Sequence, residues 1–93
     1  MTNEILVIDD NLDIRLLISG ILKDNGYAVR EAANFEQALA EINKKVPDVA
    51  IIDVKLDKGD NDGIELLNHL KKIDEDVPAI MISGHANVQM AVD

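Results

Sequence analysis

The sequence predicts an α/β fold, a parallel sheet with helices on both faces, in one domain over residues 1–93. Three observations lead there. First, Val49-Ala50-Ile51-Ile52 is an unbroken apolar run ending on Asp53, and Ile5-Leu6-Val7-Ile8 ends likewise on Asp9-Asp10. Runs without polar alternation are strands buried on both faces, as in the middle of a parallel sheet. Second, the stretches between such runs carry apolar residues at helical spacing, so strands and helices alternate. Third, Tyr27 to Ala32 reads as a more polar strand, suited to a sheet edge.

The elements follow in order. Glu4 to Ile8 is the first strand, and Asn11 caps the helix after it. In that helix Ile14, Leu17, Ile18, Ile21 and Leu22 fall on one apolar face. Asn25-Gly26 ends it, with glycine at the left-handed position past the helix. Strand two is Tyr27 to Ala32. Asn34 and Gln37 stand close to a capping box, and Phe35, Ala38, Leu39 and Ile42 form the stripe of helix two. Lys44-Lys45 complement its dipole, and Pro47 forbids continuation. Strand three is Val49 to Asp53, followed by a loop from Val54 to Asn61. Asp62 with Glu65 makes a second capping-type pair, and Leu66, Leu67, Leu70 and Ile73 carry helix three. Pro78 leads strand four, Ala79 to Ile82. Ser83 to Ala86 is a loop, and Asn87 caps a fourth helix from Val88 onward.

This order implies right-handed crossovers. A polar second strand beside apolar first and third strands gives the spatial order 2-1-3-4, a flavodoxin-like, doubly wound sheet. The first and third strands are then neighbours at the switch point. Ligands bind at that rim in open α/β sheets.

Composition narrows the function. The chain has 93 residues, a net charge of −9 and an isoelectric point near 4.4. It carries no basic run, and its only aromatic residues are Tyr27 and Phe35, so nucleic acid is not an expected ligand of this domain. Without cysteine there is no disulfide or thiolate metal site. No signal peptide or membrane-length apolar run is present, so a cytoplasmic location is expected, with no membrane contact. There is no glycine-rich nucleotide loop.

The strand ends bring Asp9, Asp10 and Asp53 to one rim. At about 4 Å and an effective dielectric near 20, each pair of carboxylates repels by roughly 4 kcal/mol. Protonation or a bound cation relieves this. A hard cation with oxygen ligands suits such a donor set, and Mg²⁺ that keeps several waters is the usual solution. A carboxylate beside Mg²⁺ is also a competent nucleophile toward phosphorus. Ser83, at the end of the adjacent strand, offers a hydroxyl to a phosphoryl oxygen.

At these residues the chain resembles the receiver domain of two-component response regulators. The matching segments are Ile5 to Asn11, Pro47 to Asp53, Asp62 to Leu67 and Val77 to Ser83. The resemblance implies that Asp53 is the phosphoacceptor and Ser83 the switch hydroxyl. It implies that Asp10, Asp53 and the Lys55 main-chain carbonyl ligate Mg²⁺ directly, with Asp9 acting through water. A sensor histidine kinase is the implied phosphoryl donor. Lys55 and His85, each two residues past a site residue, would flank the attacking water. The long loop Leu56 to Asn61, with Ile82 to His85 and Asn87, is similar to NtrX-type nitrogen regulators. Those carry an ATPase module and a DNA-binding domain, so a transcriptional output is implied. The family's fifth strand, lysine, aromatic switch residue and fifth helix are expected beyond Asp93. The outer edge of strand four should then lie unpaired, inviting a homodimer.

Two other readings compete. A stand-alone phosphorelay or interaction module would look the same in this stretch. A dehalogenase-type phosphatase also uses a strand-end aspartate with Mg²⁺, but needs an acid two residues later, where this chain has Lys55. The remaining polar residues have plainer readings. An isolated Asp9-Asp10 pair would be a turn and cap, and Ser83 alone a loop serine. His69 reads as a solvated surface residue, and His85 as a loop residue with no second histidine at ligand spacing. Gly63 reads as a helix-start glycine.

Overall fold

Two long apolar strands, β1 (Glu4–Ile8) and β3 (Val49–Asp53), lie side by side in the middle of the sheet. The structure is a computed structural model of the chain and describes residues 3–54, 56, 62–82 and 91–92. The other elements are α1 (Leu12–Asp24), β2 (Ala28–Ala32), α2 (Phe35–Lys44), α3 (Asp62–Ile73), β4 (Ala79–Ile82) and β5 (Ala91–Val92). The sheet order is β2-β1-β3-β4-β5, and the first four strands are parallel. The predicted order 2-1-3-4 and the polar edge strand are therefore present, although β2 begins at Ala28 and Tyr27 is left in the turn.

Beyond those four strands the expectation needs correction. Where a fourth helix was expected, residues 91–92 form β5, antiparallel to β4, with Ile80 opposite Val92 and Met81 opposite Ala91. The outer edge of β4 is thus paired over two residues. An apolar edge strand presents a row of free N–H and C=O groups, and a short β-prone segment can satisfy some of them locally.

Alternation along the strands sets the two faces. Leu6 and Ile8, Ala50 and Ile52, and Ala79 and Met81 meet Ala38 and Ile42 of α2 and Leu66 and Leu70 of α3 in one buried core. Ile5 and Val7 are buried on the other face, where α1 lies over β1 and β2. On that side Val49, Ile51, Ile80 and Ile82 remain half-buried. The stripe predicted for α1 is only partly right. Ile14, Ile18 and Leu22 turn inward, but Leu17 and Ile21 are exposed and the inward positions between include Arg15 and Ser19. Regular helical spacing let two adjacent stripes be read as one.

The predicted caps form. Asn11 Oδ1 accepts from Asp13 N and Ile14 N, at 3.0 and 3.2 Å. Asn34 Oδ1 accepts from Gln37 N, and Gln37 Oε1 accepts from Ala33 N, both at 2.8 Å. Gly26 takes the left-handed conformation past α1, with φ of 91°. Asp62, expected as a cap, is instead the first residue of α3 and is buried. His69 is not a free surface residue: its Nε2 lies 3.1 Å from Asn43 Oδ1, bridging α2 and α3.

An ion-pair lock that local sequence did not signal holds α2 to the sheet. Arg30 Nη1 donates to the Glu41 carbonyl at 2.9 Å and to Glu41 Oε1 at 3.0 Å. Its Nη2 donates to the Lys45 carbonyl at 2.6 Å and lies 3.1 Å from Glu4 Oε1. A cation on the last carbonyls of a helix also complements the helix dipole.

Candidate metal centre

Register builds the site. Ile8 of β1 stands opposite Ile52 of β3. Each strand run is followed directly by an aspartate, so Asp9 and Asp53 reach the same rim side by side. Asp10 follows as the chain turns toward α1. One carboxylate oxygen from each of Asp9, Asp10 and Asp53 lies within 4.8 Å of the other two. Asp9 and Asp53 are buried, at 1% and 4% exposure, and Asp10 faces solvent. The convergence expected of these three residues is present.

Asp9 is held at three atoms. Its N–H donates to the Ala32 carbonyl at 3.1 Å, its Oδ1 accepts from Asn11 N at 2.9 Å, and its carbonyl accepts from Arg15 Nη1 at 2.9 Å. Oδ2 is buried, with no hydrogen-bond donor among the described residues. Burial pushes the Asp9 carboxyl above its ordinary value, and the Asn11 N–H opposes this. The Asp10 charge adds to the rise, while Asp53 and Arg15 act to lower it. A buried carboxylate oxygen with no donor costs free energy. A proton shared with Asp53 is one relief and a cation is the other. Three carboxylates that offer only oxygen, one of them with an orphaned atom, fit a hard divalent ion such as Mg²⁺ and fit softer metals poorly.

Asp53 is positioned from both sides. It stands opposite Ile82 of β4, and Val54 N donates to the Ile82 carbonyl at 2.8 Å. On the helix side Gly63 N donates to the Val54 carbonyl at 3.1 Å. A methyl group at Gly63 would overlap the Asp53 carbonyl oxygen and fall 2.8 Å from the Val54 Cα. Gly63 is therefore more than a helix-start glycine: α3 begins against the main chain of the phosphoacceptor candidate. Ser83, Lys55, His85 and Asn87 lie outside the described residues.

Sequence reasoning missed two residues at this rim, Arg15 and Glu31. Arg15 Nε donates to Glu31 Oε1 at 3.0 Å while Nη1 holds the Asp9 carbonyl. The only available clue was an arginine on the inward side of α1, next to Ile14 and Ser19.

Comparison with known proteins agrees with this geometry. Residues 5–93 match the family model described as the response regulator receiver domain. The chain is 44% identical over 92 residues to the nitrogen assimilation regulatory protein NtrX of Azorhizobium caulinodans, covering 99% of this chain and 20% of that protein. It is 36% identical over 90 residues to the sporulation initiation phosphotransferase F of Bacillus subtilis, covering 97% of this chain and 71% of that one. The crystal structure of the receiver domain of NtrX from Brucella abortus superposes with a TM-score of 0.79 at 44% identity, covering 89% of this chain and 69% of that one. The chain thus spans a fifth of the NtrX relative but most of the shorter ones. With the sheet ordered 2-1-3-4 and the acids gathered at the rim between its first and third strands, sequence match and architecture agree: this chain belongs to the response regulator receiver domain family.

Proposed function

We propose that this domain accepts a phosphoryl group on Asp53 from the phosphohistidine of a sensor kinase and passes the signal on by a change of conformation. The observation that carries the reading is the orphaned, buried Oδ2 of Asp9 in a cluster with Asp10 and Asp53. Asp10, Asp53 and the main-chain carbonyl of Lys55 would hold Mg²⁺ directly, with Asp9 acting through water. Bound there, the ion supplies positive charge to neutralise the phosphoryl oxygens and the crowded carboxylates.

The protein's own residues do the rest. An Asp53 carboxylate oxygen attacks phosphorus, and an O–P bond forms as the P–N bond to the donor imidazole breaks. The electron pair leaves on the imidazole nitrogen, which takes a proton from solvent. Burial of Asp53 limits its conformations, and Gly63 fixes its main chain, so the nucleophile is pre-aligned. The Ser83 hydroxyl donates to a phosphoryl oxygen, drawing the end of β4 toward the site. That movement is the switch. Lys55 and His85 modulate access of the hydrolytic water. The domain works only on its own aspartate, so it is not an enzyme with turnover on a separate product. Its output is transcription, through a downstream ATPase and DNA-binding portion as in NtrX-type proteins, and its place is the cytoplasm.

The test is phosphorylation by acetyl phosphate with Mg²⁺, followed by intact-mass measurement and peptide mapping. A hydroxylamine-labile phosphoryl group on Asp53, absent from Asp53→Asn, is expected. No incorporation into the parent at saturating Mg²⁺ overturns the reading.

A further inference from the structure

We propose that Arg15 is a positioning residue for the metal centre, clamping the peptide unit between Asp9 and Asp10 while Glu31 holds the guanidinium on the main-chain side of the carboxylate cluster. This rests on the reading of Asp9, Asp10 and Asp53 as a Mg²⁺ site.

The geometry is specific. The carbonyl that Arg15 Nη1 holds, at 2.9 Å, belongs to the peptide joining Asp9 to Asp10. That peptide is planar, so fixing its oxygen orients the Cα atoms of both acids at once. With the Ala32 carbonyl on Asp9 N and Asn11 N on Oδ1, every polar atom of Asp9 is engaged except Oδ2, the one left for the cluster. Arg15 is well placed to hold this position. Its side chain is only 13% exposed and is itself pinned by Glu31 of β2, Nε to Oε1 at 3.0 Å. The guanidinium fork spans β2 and the β1–α1 turn, which a lysine ammonium on a flexible stem cannot do with the same geometry.

The Glu31 pairing matters for charge. An arginine beside three carboxylates is a competitor for a cation, since it can neutralise them itself. Here the fork meets Glu31 and the Asp9 carbonyl. The clamp therefore supplies order on the main-chain side and leaves Oδ2 for the ion. Outer partners of metal ligands act in this way.

Simple electrostatics and positioning predict opposite signs, which makes the proposal testable. Removing a cation near an acidic cluster strengthens Mg²⁺ binding by Coulomb attraction alone. Removing a clamp weakens it. Amide chemical-shift titration of the full chain with MgCl₂, followed at Asp10 and Asn11, gives the dissociation constant. Thermal unfolding without Mg²⁺ controls for a general loss of stability. We expect Arg15→Met to raise the Mg²⁺ dissociation constant about tenfold. Arg15→Lys, which keeps the charge but loses the fork, should raise it less but measurably. A dissociation constant equal to or below that of the parent in either folded variant overturns the clamp. Should Arg15→Met not fold, the charge-conserving Arg15→Lys decides by itself. If the parent shows no saturable Mg²⁺ shifts at these amides, the metal site fails and the clamp with it. Saturable binding by the parent, with unchanged constants in the variants, rejects the clamp only.

Discussion

Gly63, the second residue of α3, is packed against the main chain of Asp53 with no room for a side chain. Its φ is not left-handed, so the requirement is space rather than backbone freedom. Gly26 is the reverse case: its φ is 91°, and nothing lies within 4 Å of the place an alanine methyl would take. The two glycines should therefore respond differently to alanine. Gly26→Ala should cost about 1–2 kcal/mol through its dihedral alone and leave Asp53 reactive. Gly63→Ala must push α3 away from β3 and should cost roughly 1–3 kcal/mol. It should also slow phosphorylation of Asp53, because the methyl group displaces the end of the strand that carries it. Urea unfolding with acetyl phosphate labelling reads both effects. Normal labelling of a folded Gly63→Ala variant would show that α3 yields and the strand does not.

The acid cluster predicts a metal-dependent stability. Ligand that binds only the folded state stabilises by mass action, so Mg²⁺ at about ten times its dissociation constant adds roughly 1.4 kcal/mol. Asp53→Asn removes a donor and should shrink that gain. It also removes repulsion and should raise the melting temperature measured without Mg²⁺. Calorimetry with and without Mg²⁺ checks both signs. A parent melting temperature indifferent to Mg²⁺ would mean that the three carboxylates are relieved by protons instead.

Glu41 sets an acid limit to stability. The hydrogen bond from Arg30 holds its carboxyl below the ordinary value of 4.5; burial opposes this, and Lys44 adds to the lowering. A group whose folded value is depressed contributes stability above its unfolded value and loses it as pH falls through the folded one. The Arg30–Glu41 contribution should therefore be complete at neutral pH, begin to fall near pH 4.5 and vanish once pH drops below the folded value. Both side chains are partly exposed, so the contribution is roughly 1 kcal/mol or less. Glu41→Gln should lower stability by that amount at pH 7 and by much less at pH 3. A uniform loss at both pH values would assign the effect to packing.

The architecture was readable where chemistry is local. Apolar runs with aspartates at their ends revealed β1, β3 and the rim, because a strand buried on both faces can only release a carboxylate at its end. Asn11 and Asn34 declared the helix starts through side chains that reach the next turn. What escaped depends on distance along the chain. Arg15 with Glu31, and Arg30 with Glu4 and Glu41, are partners that meet only after β1 and β2 pair. The close approach of Gly63 to Asp53 needs the α3–β3 packing before it has meaning. Residues 91–92 became a strand because an available edge outweighed the helical tendency of a short segment.

On the proposed reading, in which Lys55 and His85 modulate access of the hydrolytic water, these two residues should set the lifetime of the phosphoryl group. Lys55→Ala and His85→Ala should each change the autodephosphorylation rate while leaving Mg²⁺ affinity nearly intact. Decay of radiolabelled protein after removal of acetyl phosphate measures this. Equal rates in both variants and parent would place control of that water elsewhere.

Self-association should run through α1. Leu12, Leu16, Leu17 and Ile21 are exposed by 54%, 53%, 62% and 54%. All four lie on one helix, and on the sheet face that α1 incompletely covers Ile51, Ile80 and Ile82 are only half-buried. Scattered apolar residues on a surface need no explanation, but four large ones exposed on a single helix are a candidate association surface. The competing route is the β4 edge, but β5 pairs with Ile80 and Met81 and blunts it. Concentration-dependent sedimentation is therefore expected for the parent chain. The double substitution Leu17→Lys with Ile21→Lys should abolish it, and each change should alter folding stability by no more than about 0.5 kcal/mol, since these side chains face water. Charged side chains on an exposed helix face lose little on folding and repel a second copy. If the double variant associates as strongly as the parent, contact runs through the β4–β5 edge, and a substitution that blocks edge pairing there should remove it instead.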